Sequence, residues 1–400
     1  MSRHKIDVWV EGVDGSEWHV SGENSGGQGV RLMDEFVGLL DTPASTLWTS
    51  GANQIGGSFQ AVRFDAREVT LSFLISDSEG NTKNPLQWQS VDSRWRRAWS
   101  YQEDSTLVVL SSSGRRELKL RLNKTPEHKL GKGGQFRGVS TILMSLMAGN
   151  PLWRSEDETT TWQFDGVNWV GEIPISNPTD MPMHLVWTLT GPASFILPDH
   201  SFEDREGWPG YEHQGRRIVL PHQPPGVDVV VDTNPEVEQV VALDRPAWWA
   251  KMNGQMFMYS VPPWTEETLL PIAVNPLPWT ADVWRTLQIP FEIPAEFLVH
   301  MASVLTRILS PLGTETVLSW TADDVAEHIR QALEEAADWA ESVDLVGPWL
   351  SAVLQALSRS QIAELIANTW GNAWGQVFNM PGAGLQVRQI RHWSRPYGLE

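Results

Sequence analysis

The chain of 400 residues contains no cysteine. Disulfide bonds, thiolate nucleophiles and zinc sites with cysteine ligands are therefore excluded. The fold has to be stabilised by packing and hydrogen bonding, and a chain of this length can bury the cores of two or three domains.

Long apolar segments are missing as well. The first fifteen residues, MSRHKIDVWVEGVDG, carry basic side chains but lack the apolar stretch of a secretory signal peptide. No apolar run approaches the length needed to cross a bilayer. We therefore expect a protein without a membrane anchor that is made and folded in a cytoplasm, even if it later joins a larger particle.

Motifs that are typical of catalytic sites are absent too. The 10 histidines are scattered, with no H-E-x-x-H motif, and Ser58 has no G-x-S-x-G frame. No glycine motif for phosphates or dinucleotides follows a strand pattern. We predict no enzyme, no catalytic residues, no metal and no cofactor. A cell-wall hydrolase with paired carboxylates stays open as an alternative, because 49 acidic residues offer many pairs.

One acidic segment, DHSFEDREG at residues 199–207, could bind calcium through Asp199, Glu203 and Asp204. Its spacing does not match that of a complete calcium loop. We therefore favour the interpretation that this segment is an exposed, charged turn.

Charge is distributed unevenly along the chain. Residues 1–150 hold 17 basic and 17 acidic side chains, whereas residues 151–400 hold 13 basic and 32 acidic ones, which gives the whole net charge of -19. Specific nucleic-acid binding needs clustered lysine and arginine, so we do not expect it here. Solubility is the simplest explanation of the acidity.

Tryptophan is unusually frequent, with 22 residues against 4 tyrosines. Tryptophan anchors protein interfaces and also stacks on sugars. Trp248, Trp249 and Trp264 are candidates for a glycan-binding or partner-binding surface in the middle of the chain. Burial in a core or an interface is the commoner fate of such residues, and we favour it.

The N-terminal segment DVWVEGVDGSEWHVSG, residues 7–22, predicts two short strands joined by a turn at Asp14-Gly15. Alternation predicts a strand over residues 67–76, and Asn84-Pro85 predicts a helix start. Residues 105–122 predict a hairpin. The long stretch 21–60, rich in glycine, serine and asparagine, is either a flexible excursion or an arm that orders against a neighbour.

The pattern changes twice further along the chain. Residues 151–290 contain short apolar strands separated by proline and glycine, which is typical of a β-sandwich. Residues 291–378 contain amphipathic helical patterns with 3 basic and 12 acidic residues, which predict a helical bundle. The final residues return to a strand pattern.

Several of these segments resemble the distal tail proteins of long-tailed phages, in the form called minor tail proteins among phages of actinobacteria. The similarity lies in the following segments: VWVEGVDGSEWHVSG, GVRL, RWRRAWSYQEDSTLVVLSSSGRRELKLRL, GNPLWRS, GRRIVLP, VDVVVDTNPE, WWAKMNGQMFMYSVPP and RHWSRPYGLE. It covers about residues 1–290 and 380–400, and the order of the segments along the chain makes chance similarity improbable. The helical block 291–378 does not match the family core.

The resemblance implies a structural protein in the virion, at the tail tip. Members of the family form a ring, commonly six-fold, that joins the tail tube to the tip and its receptor-binding apparatus. The implied fold is multidomain and mainly β with some α. It comprises an N-terminal α+β ring domain with an antiparallel sheet (1–152) and a galectin-like β-sandwich (153–290, completed by a final strand at 380–400). The helical patterns described above add a helical-bundle insertion (291–378) to this fold.

The implied partners are other copies of the chain, the tail tube protein and the tip or baseplate hub protein, with receptor-binding proteins or host glycans as further possibilities. We predict that Val8, Trp9, Val10 and Trp18 of the opening hairpin form the ring contact or its supporting core, because strand edges can extend a sheet into a neighbouring subunit. The alternatives are a hairpin that only covers its own domain, a carbohydrate-binding tail protein, and a host-encoded protein from a prophage remnant.

Overall fold

The structure is a computed structural model. It describes residues 6–77, 85–129, 138–164, 170–191, 193–221, 223, 226–242, 247–252, 254–275, 331, 335 and 383–399. The described part is mainly β, as predicted. Apart from two isolated positions, the predicted helical bundle at 291–378 lies outside the described residues.

The chain is organised in two compact units. Within the described ranges, the first unit contains residues 6–157, 178–182 and 390–399, and the second contains residues 158–177 and 183–389. The chain therefore passes from the first unit to the second and returns to the first at its C-terminal end.

The first unit is built around one antiparallel sheet with the strand order β2-β1-β7-β8-β10-β6-β3, in which β9 also pairs with β10 and β11 with β8. A separate two-stranded sheet is formed by β4 and β5. The strands have these bounds: β1 (Asp7–Glu11), β2 (Glu17–Ser21), β3 (Val30–Val37), β4 (Ala44–Thr49), β5 (Ser58–Phe64), β6 (Arg67–Ser76), β7 (Ser105–Ser111), β8 (Gly114–Leu122), β9 (Glu127–Lys129), β10 (Val139–Ala148) and β11 (Trp153–Ser155).

The strand predicted over residues 67–76 is confirmed as β6, which pairs with β10 along its whole length. Its alternating residues Val69, Leu71, Phe73 and Ile75 are all fully buried. Because successive side chains of a strand point to opposite faces, this alternation directs one complete face into the core.

The predicted helix is confirmed as α1 (Pro85–Arg97), which begins with a proline whose missing N–H costs nothing at that position. Its apolar stripe is buried against the sheet. The Trp95 ring makes edge-to-face contacts with Phe73, Trp18 and Trp99, at centroid distances of 4.8, 5.4 and 5.5 Å. This aromatic cluster joins the helix, the opening hairpin and the central strands into one core.

The second unit has two antiparallel sheets, with the orders β12-β20-β14-β17-β18 and β13-β19-β15-β16. Buried residues from both sheets form one hydrophobic cluster. The strands have these bounds: β12 (Glu158–Gln163), β13 (Val170–Asn177), β14 (Leu185–Thr190), β15 (Ser194–Pro198), β16 (Arg217–Val219), β17 (Asp228–Asp232), β18 (Val240–Ala242), β19 (Thr265–Asn275) and β20 (Gly384–Gln389).

The C-terminal segment, which we expected to belong entirely to the second domain, is divided between the two units. Strand β20 pairs with β12 and β14, whereas the next strand, β21 (His392–Trp393), pairs with β11 of the first unit. The Trp393 indole is buried there, with the Arg116 guanidinium 3.7 Å from its ring centroid.

Two buried arginines explain this division. Arg116 donates to the backbone carbonyls of Arg395 and Gly398, at 2.9 and 2.8 Å. Arg67 donates to the carbonyls of Leu39 and Ser394, at 2.8 and 3.0 Å. A guanidinium needs several acceptors when it is removed from water, and the C-terminal backbone provides them.

Candidate interaction surfaces

The opening hairpin directs three of its four predicted contact residues into its own core. Val8, Val10 and Trp18 are buried, and Val10 is fully inaccessible. The Trp18 indole donates to the Ser16 hydroxyl at 2.8 Å. These residues therefore contribute to the fold of the first unit rather than to an exposed surface.

Trp9 lies on the opposite face of the hairpin, as the strand alternation requires. Its ring is partly exposed and lies 5.9 Å from the His19 ring, between centroids. Its indole N–H donates to Glu11 Oε1 at 3.1 Å. Of the four predicted residues, Trp9 alone has a side chain that is not buried.

The outer edge of β2 is covered by the glycine-rich loop that follows it. The His19 N–H donates to the Gln28 side-chain oxygen at 2.8 Å, and the His19 carbonyl accepts from the Gly26 N–H at 3.3 Å. Gln28 also donates to the Glu17 carbonyl. The outward-facing backbone groups at residues 17–19 of this edge are therefore already hydrogen-bonded within the chain. They are not free to extend the sheet into a neighbouring subunit as predicted.

A different hairpin, formed by β4 and β5, emerges from the stretch predicted as a possible arm. Every residue of both strands is exposed. Four large apolar side chains share one face of this hairpin: Trp48, Phe59, Val62 and Phe64, with exposed fractions of 59, 53, 45 and 42%. We call these four residues the apolar face.

Strand register establishes this shared face. Thr46 pairs with Val62 across the hairpin, and the Trp48 indole donates to the Thr46 hydroxyl at 3.0 Å, so these three residues lie on one side. Trp48 pairs directly with Phe59, and the two rings make an edge-to-face contact at a centroid distance of 5.6 Å.

The opposite face of the same hairpin is mainly polar. The Ser45 hydroxyl donates to Asp65 at 3.1 Å, and the guanidinium of Arg63 pairs with the same carboxylate at 2.9 Å. Leu47 is the exception, with 49% of its surface exposed. The hairpin is therefore amphipathic, although within the described part of the chain it packs neither face into a core.

The sequence signal for this hairpin was weak for a physical reason. The register shifts opposite Leu47 and Trp48, which leaves Gln60 as an extra residue in β5. A bulge of this kind interrupts the alternation by one position. Phe59 and Val62 therefore share a face although their spacing in the sequence is odd.

The three tryptophans predicted as a glycan or partner surface are placed in different environments. Trp248 is buried, with 1% of its surface exposed, and belongs to the core of the second unit. Trp249 and Trp264 are exposed by 63 and 52%. Trp248 is therefore unavailable as a surface contact, which agrees with the burial that the sequence analysis favoured for such residues.

Trp264 is held in an unusual backbone conformation. Its φ is 60°, in the left-handed region that bulky residues rarely adopt. The buried Asn177 amide donates to the carbonyls of Val261 and Pro262, at 3.1 and 2.9 Å, and the Thr265 hydroxyl donates to Pro262 at 2.7 Å. These bonds stabilise the strained turn.

The acidic segment 199–207 does not gather its carboxylates around one point. Asp199 is buried and accepts the N–H groups of Met258 and Tyr259, at 3.0 and 3.1 Å, while it pairs with Arg216. Glu203 pairs instead with Arg205. Among the described residues, no group of three or more histidines and carboxylates could hold a metal ion.

The Glu203 carboxylate has a strongly perturbed titration. Its pKa is lowered to about 2, chiefly because the Arg205 side chain donates to it, with backbone N–H groups and the positive charge of Arg205 adding to the effect. The pair is therefore ionised throughout the neutral and mildly acidic range.

In the described ranges, no helix has the length and apolarity to span a bilayer.

No protein-family model matches the chain. Two curated proteins do match it. Minor tail protein Gp27 of Mycobacterium phage L5 is 28% identical over 310 residues, which cover 65% of this chain and 89% of the relative. Minor tail protein Gp27 of Mycobacterium phage D29 is 26% identical over 311 residues, with the same coverage.

Two solved structures are also similar. The Dit (gp 19.1) protein of phage SPP1, described as a hub adsorption apparatus in phages infecting Gram-positive bacteria, has a TM-score of 0.45 and 11% identity over 68% of this chain and 98% of its own. A chain of the phage p2 baseplate has a TM-score of 0.39 and 8% identity over 70% of this chain and 100% of its own. The sequence matches confirm the predicted resemblance: the chain is homologous to the mycobacteriophage minor tail protein Gp27.

Proposed function

We propose that the protein is a structural subunit of a phage tail, and that it assembles with copies of itself into a ring at the tail tip. The homology with minor tail protein Gp27 supports the tail assignment. The amphipathic β4–β5 hairpin carries the assembly proposal, because it presents an aromatic face that the described part of its own chain does not cover.

A two-stranded hairpin is only marginally stable in water without a surface to pack on. Contiguous exposed apolar side chains in a soluble protein commonly mark an interaction site. In the proposed ring, the apolar face of one subunit packs on a different surface of the next subunit, which is the heterologous contact that closed rings require.

Charge supports close packing of the N-terminal regions. Residues 1–150 carry equal numbers of basic and acidic side chains, so copies placed side by side do not repel one another through net charge. The family resemblance implies that the proposed ring is six-fold. In this proposal the ring joins the tail tube to the tip apparatus. The second unit is proposed to be a galectin-like domain.

Light scattering after size exclusion, followed by negative-stain imaging, tests this proposal on the full chain. We expect rings for the unmodified protein, alone or mixed with the tail tube protein. The double substitution Trp48→Ser and Phe59→Ser removes the two aromatic side chains that pair directly across the apolar face and is expected to give monomers. The matched control is Leu47→Ser, which removes an exposed apolar side chain from the opposite face and should leave assembly unchanged.

Circular dichroism melting separates a loss of assembly from a loss of folding, since all three side chains are exposed. Rings that form equally well from the double variant would contradict the role of the hairpin. An unmodified protein that stays monomeric with and without the tube protein would contradict the ring itself.

A further inference from the structure

Within the described residues, the β4–β5 hairpin joins the first unit through its base. Neither of its faces packs into a core there, so its direction depends on the two connections that lead from β3 into the hairpin and from the hairpin into β6. The Asp65 N–H donates to the Pro43 carbonyl at 3.2 Å and closes the base. A small element held in this way is expected to change its direction as a unit unless further bonds fix it.

Arg67, the first residue of β6, bonds across the two connections. It is fully buried, and it donates from Nη1 to the Leu39 carbonyl at 2.8 Å and from Nη2 to the Thr42 hydroxyl. Leu39 and Thr42 precede the hairpin, whereas Arg67 follows it. Burial lowers the pKa of Arg67 to about 10, so the guanidinium is still charged at neutral pH and needs acceptors within the protein.

The Ser394 carbonyl, which belongs to the C-terminal segment (residues 390–399), is an acceptor that both sides of the hairpin share. The Thr42 hydroxyl donates to it at 2.8 Å, and Arg67 Nη2 donates to it at 3.0 Å. A carbonyl oxygen has two lone pairs and can accept both bonds. Because one donor precedes β4 and the other follows β5, this carbonyl fixes both connections at the base of the hairpin.

The position of Ser394 is set by the contacts of the C-terminal segment with the first unit. The Ser394 N–H donates to the Asp180 carboxylate at 3.1 Å. The adjacent Trp393 is buried, its indole donates to the Ser155 hydroxyl at 3.0 Å, and its strand pairs with β11. The Ser394 carbonyl is therefore presented to the base of the hairpin only when this segment is docked.

We propose that the C-terminal segment sets the direction of the β4–β5 hairpin through Thr42 and Arg67, and that its docking makes the subunit competent for assembly. This inference rests on the proposed ring contact of the apolar face. A hairpin that already points in one direction loses fewer orientations when it packs on a neighbour, which lowers the cost of ordering the contact. A subunit with an undocked segment still has the apolar face but presents it in many directions.

A further link between the C-terminal segment and the base of the hairpin lies at the surface. Arg395 Nε donates to the Asp41 carboxylate at 2.6 Å, and both side chains are exposed. Exposed pairs of this kind contribute little, because water and salt screen them. The proposal therefore depends on the bonds that Thr42 and Arg67 make with the Ser394 carbonyl, and not on this ion pair.

The absence of cysteine makes the direction of the hairpin measurable in the full chain. The substitutions Ala52→Cys, between β4 and β5, and Lys119→Cys, in β8, provide two exposed positions for nitroxide spin labels. Pulsed electron paramagnetic resonance on dilute, monomeric protein then gives the distribution of distances between the two labels. We expect a narrow distribution for the labelled chain without further substitutions.

Thr42→Val removes the hydroxyl with little change in size, while Arg67 keeps its two carbonyl acceptors. We expect this variant to give a broader distance distribution. In light scattering, the protein concentration at half-assembly should rise by about fivefold, as expected for the loss of one hydrogen bond. Thr42→Ser is the matched control, because it keeps the hydroxyl and should behave like the unmodified protein in both measurements. Thermal melting checks that both variants are folded.

Three outcomes would overturn the proposal: equal distribution widths for Thr42→Val and Thr42→Ser, a broad distribution before either substitution, or a broadened distribution in Thr42→Val with unchanged assembly. The distances are measured on monomers, so they report on the hairpin whether or not a ring forms. Failure of the ring itself would appear in light scattering, as unmodified protein that stays monomeric with and without the tube protein. The two kinds of failure are therefore distinguishable.

Discussion

At the scale of single residues, the two tryptophans of the opening hairpin differ in burial. Trp18 is buried against Trp95 at a centroid distance of 5.4 Å, whereas Trp9, nine residues earlier, is only partly covered. The sequence predicted both as contributors to a ring contact or its supporting core. Period-two alternation could place them on opposite faces but could not show which face is covered.

Replacement of these two residues by alanine should therefore give unequal losses of stability. We expect Trp18→Ala to lower the free energy of unfolding by about 3–5 kcal/mol, because it leaves a large cavity beside α1. Trp9→Ala should cost about 1 kcal/mol or less, since its ring is partly in water already. Denaturant unfolding measured on both variants checks this difference, and equal losses would refute the assignment of faces.

A second residue-scale prediction concerns the pH dependence of Glu203. In the folded protein its pKa is lowered from 4.5 to about 2, mainly by the hydrogen bonds from Arg205. A depressed folded-state pKa means that the pair stabilises the acidic segment 199–207 above about pH 4.5 and loses this effect as the pH falls towards 2. Carbon-13 NMR titration of the Glu203 carboxyl should show the low value.

Arg205→Ala provides the comparison for that titration. Without the guanidinium, the pKa of Glu203 should return towards 4.5. Arg205→Lys keeps the positive charge but loses the planar fork, and should give an intermediate value. A pKa near 4.5 in the unmodified protein would mean that the pair is not formed in solution.

At the scale of secondary-structure elements, the sequence predicted best where one face is fully buried. The alternation of β6 and the stripe of α1 were readable because burial selects apolar residues at every inward position. The β4–β5 hairpin was harder to predict from the sequence, because its bulge at Gln60 breaks the alternation and its apolar face is exposed. Its existence could be expected only as an arm of undefined structure.

Hydrogen exchange at this hairpin should depend on assembly. In a monomer the amides of β4 and β5 are expected to exchange rapidly, because each strand has only the other as a partner. In the proposed ring the same amides should become protected as protein concentration rises. The amides shared by β6 and β10, which pair over ten residues, provide the internal control and should be protected at every concentration.

Mass spectrometry of exchanged peptides from dilute and concentrated samples measures this effect directly. If scattering showed rings while the hairpin peptides exchanged equally fast in both samples, the contact would have to lie elsewhere on the subunit. The apolar face would then be free for a different tail protein.

At the scale of the whole molecule, the C-terminal segment contributes to the hydrophobic core that the N-terminal strands and α1 form. Trp393 belongs to the same hydrophobic cluster as Val10 and Trp95. Its segment, RHWSRPYGLE, contributed to the family resemblance, but the sequence could not show that its strand leaves the second unit after Gln389. A two-residue strand has no readable periodicity, and its position is set by side chains more than 200 residues away.

Removal of residues 390–400 should therefore destabilise the first unit selectively. Arg116 would lose the carbonyls of Arg395 and Gly398, and Trp153 would lose the strand that pairs with it. The loss of two acceptors from a buried guanidinium and the uncovering of the core together predict a loss of at least about 3 kcal/mol.

Hydrogen exchange resolved by peptide is the appropriate measurement, because it reports on each strand of the full chain separately. Protection should fall in β8 and β11 and should stay unchanged in β14 and β17. Arg395→Ala is the matched control: it keeps the backbone carbonyl that Arg116 uses and removes only the exposed salt bridge to Asp41. Such surface pairs contribute about 0–1 kcal/mol, so this variant should resemble the unmodified protein. Unchanged protection of β8 and β11 in the shortened chain would show that the first unit is complete without its C-terminal strand, and that the two buried arginines find other acceptors.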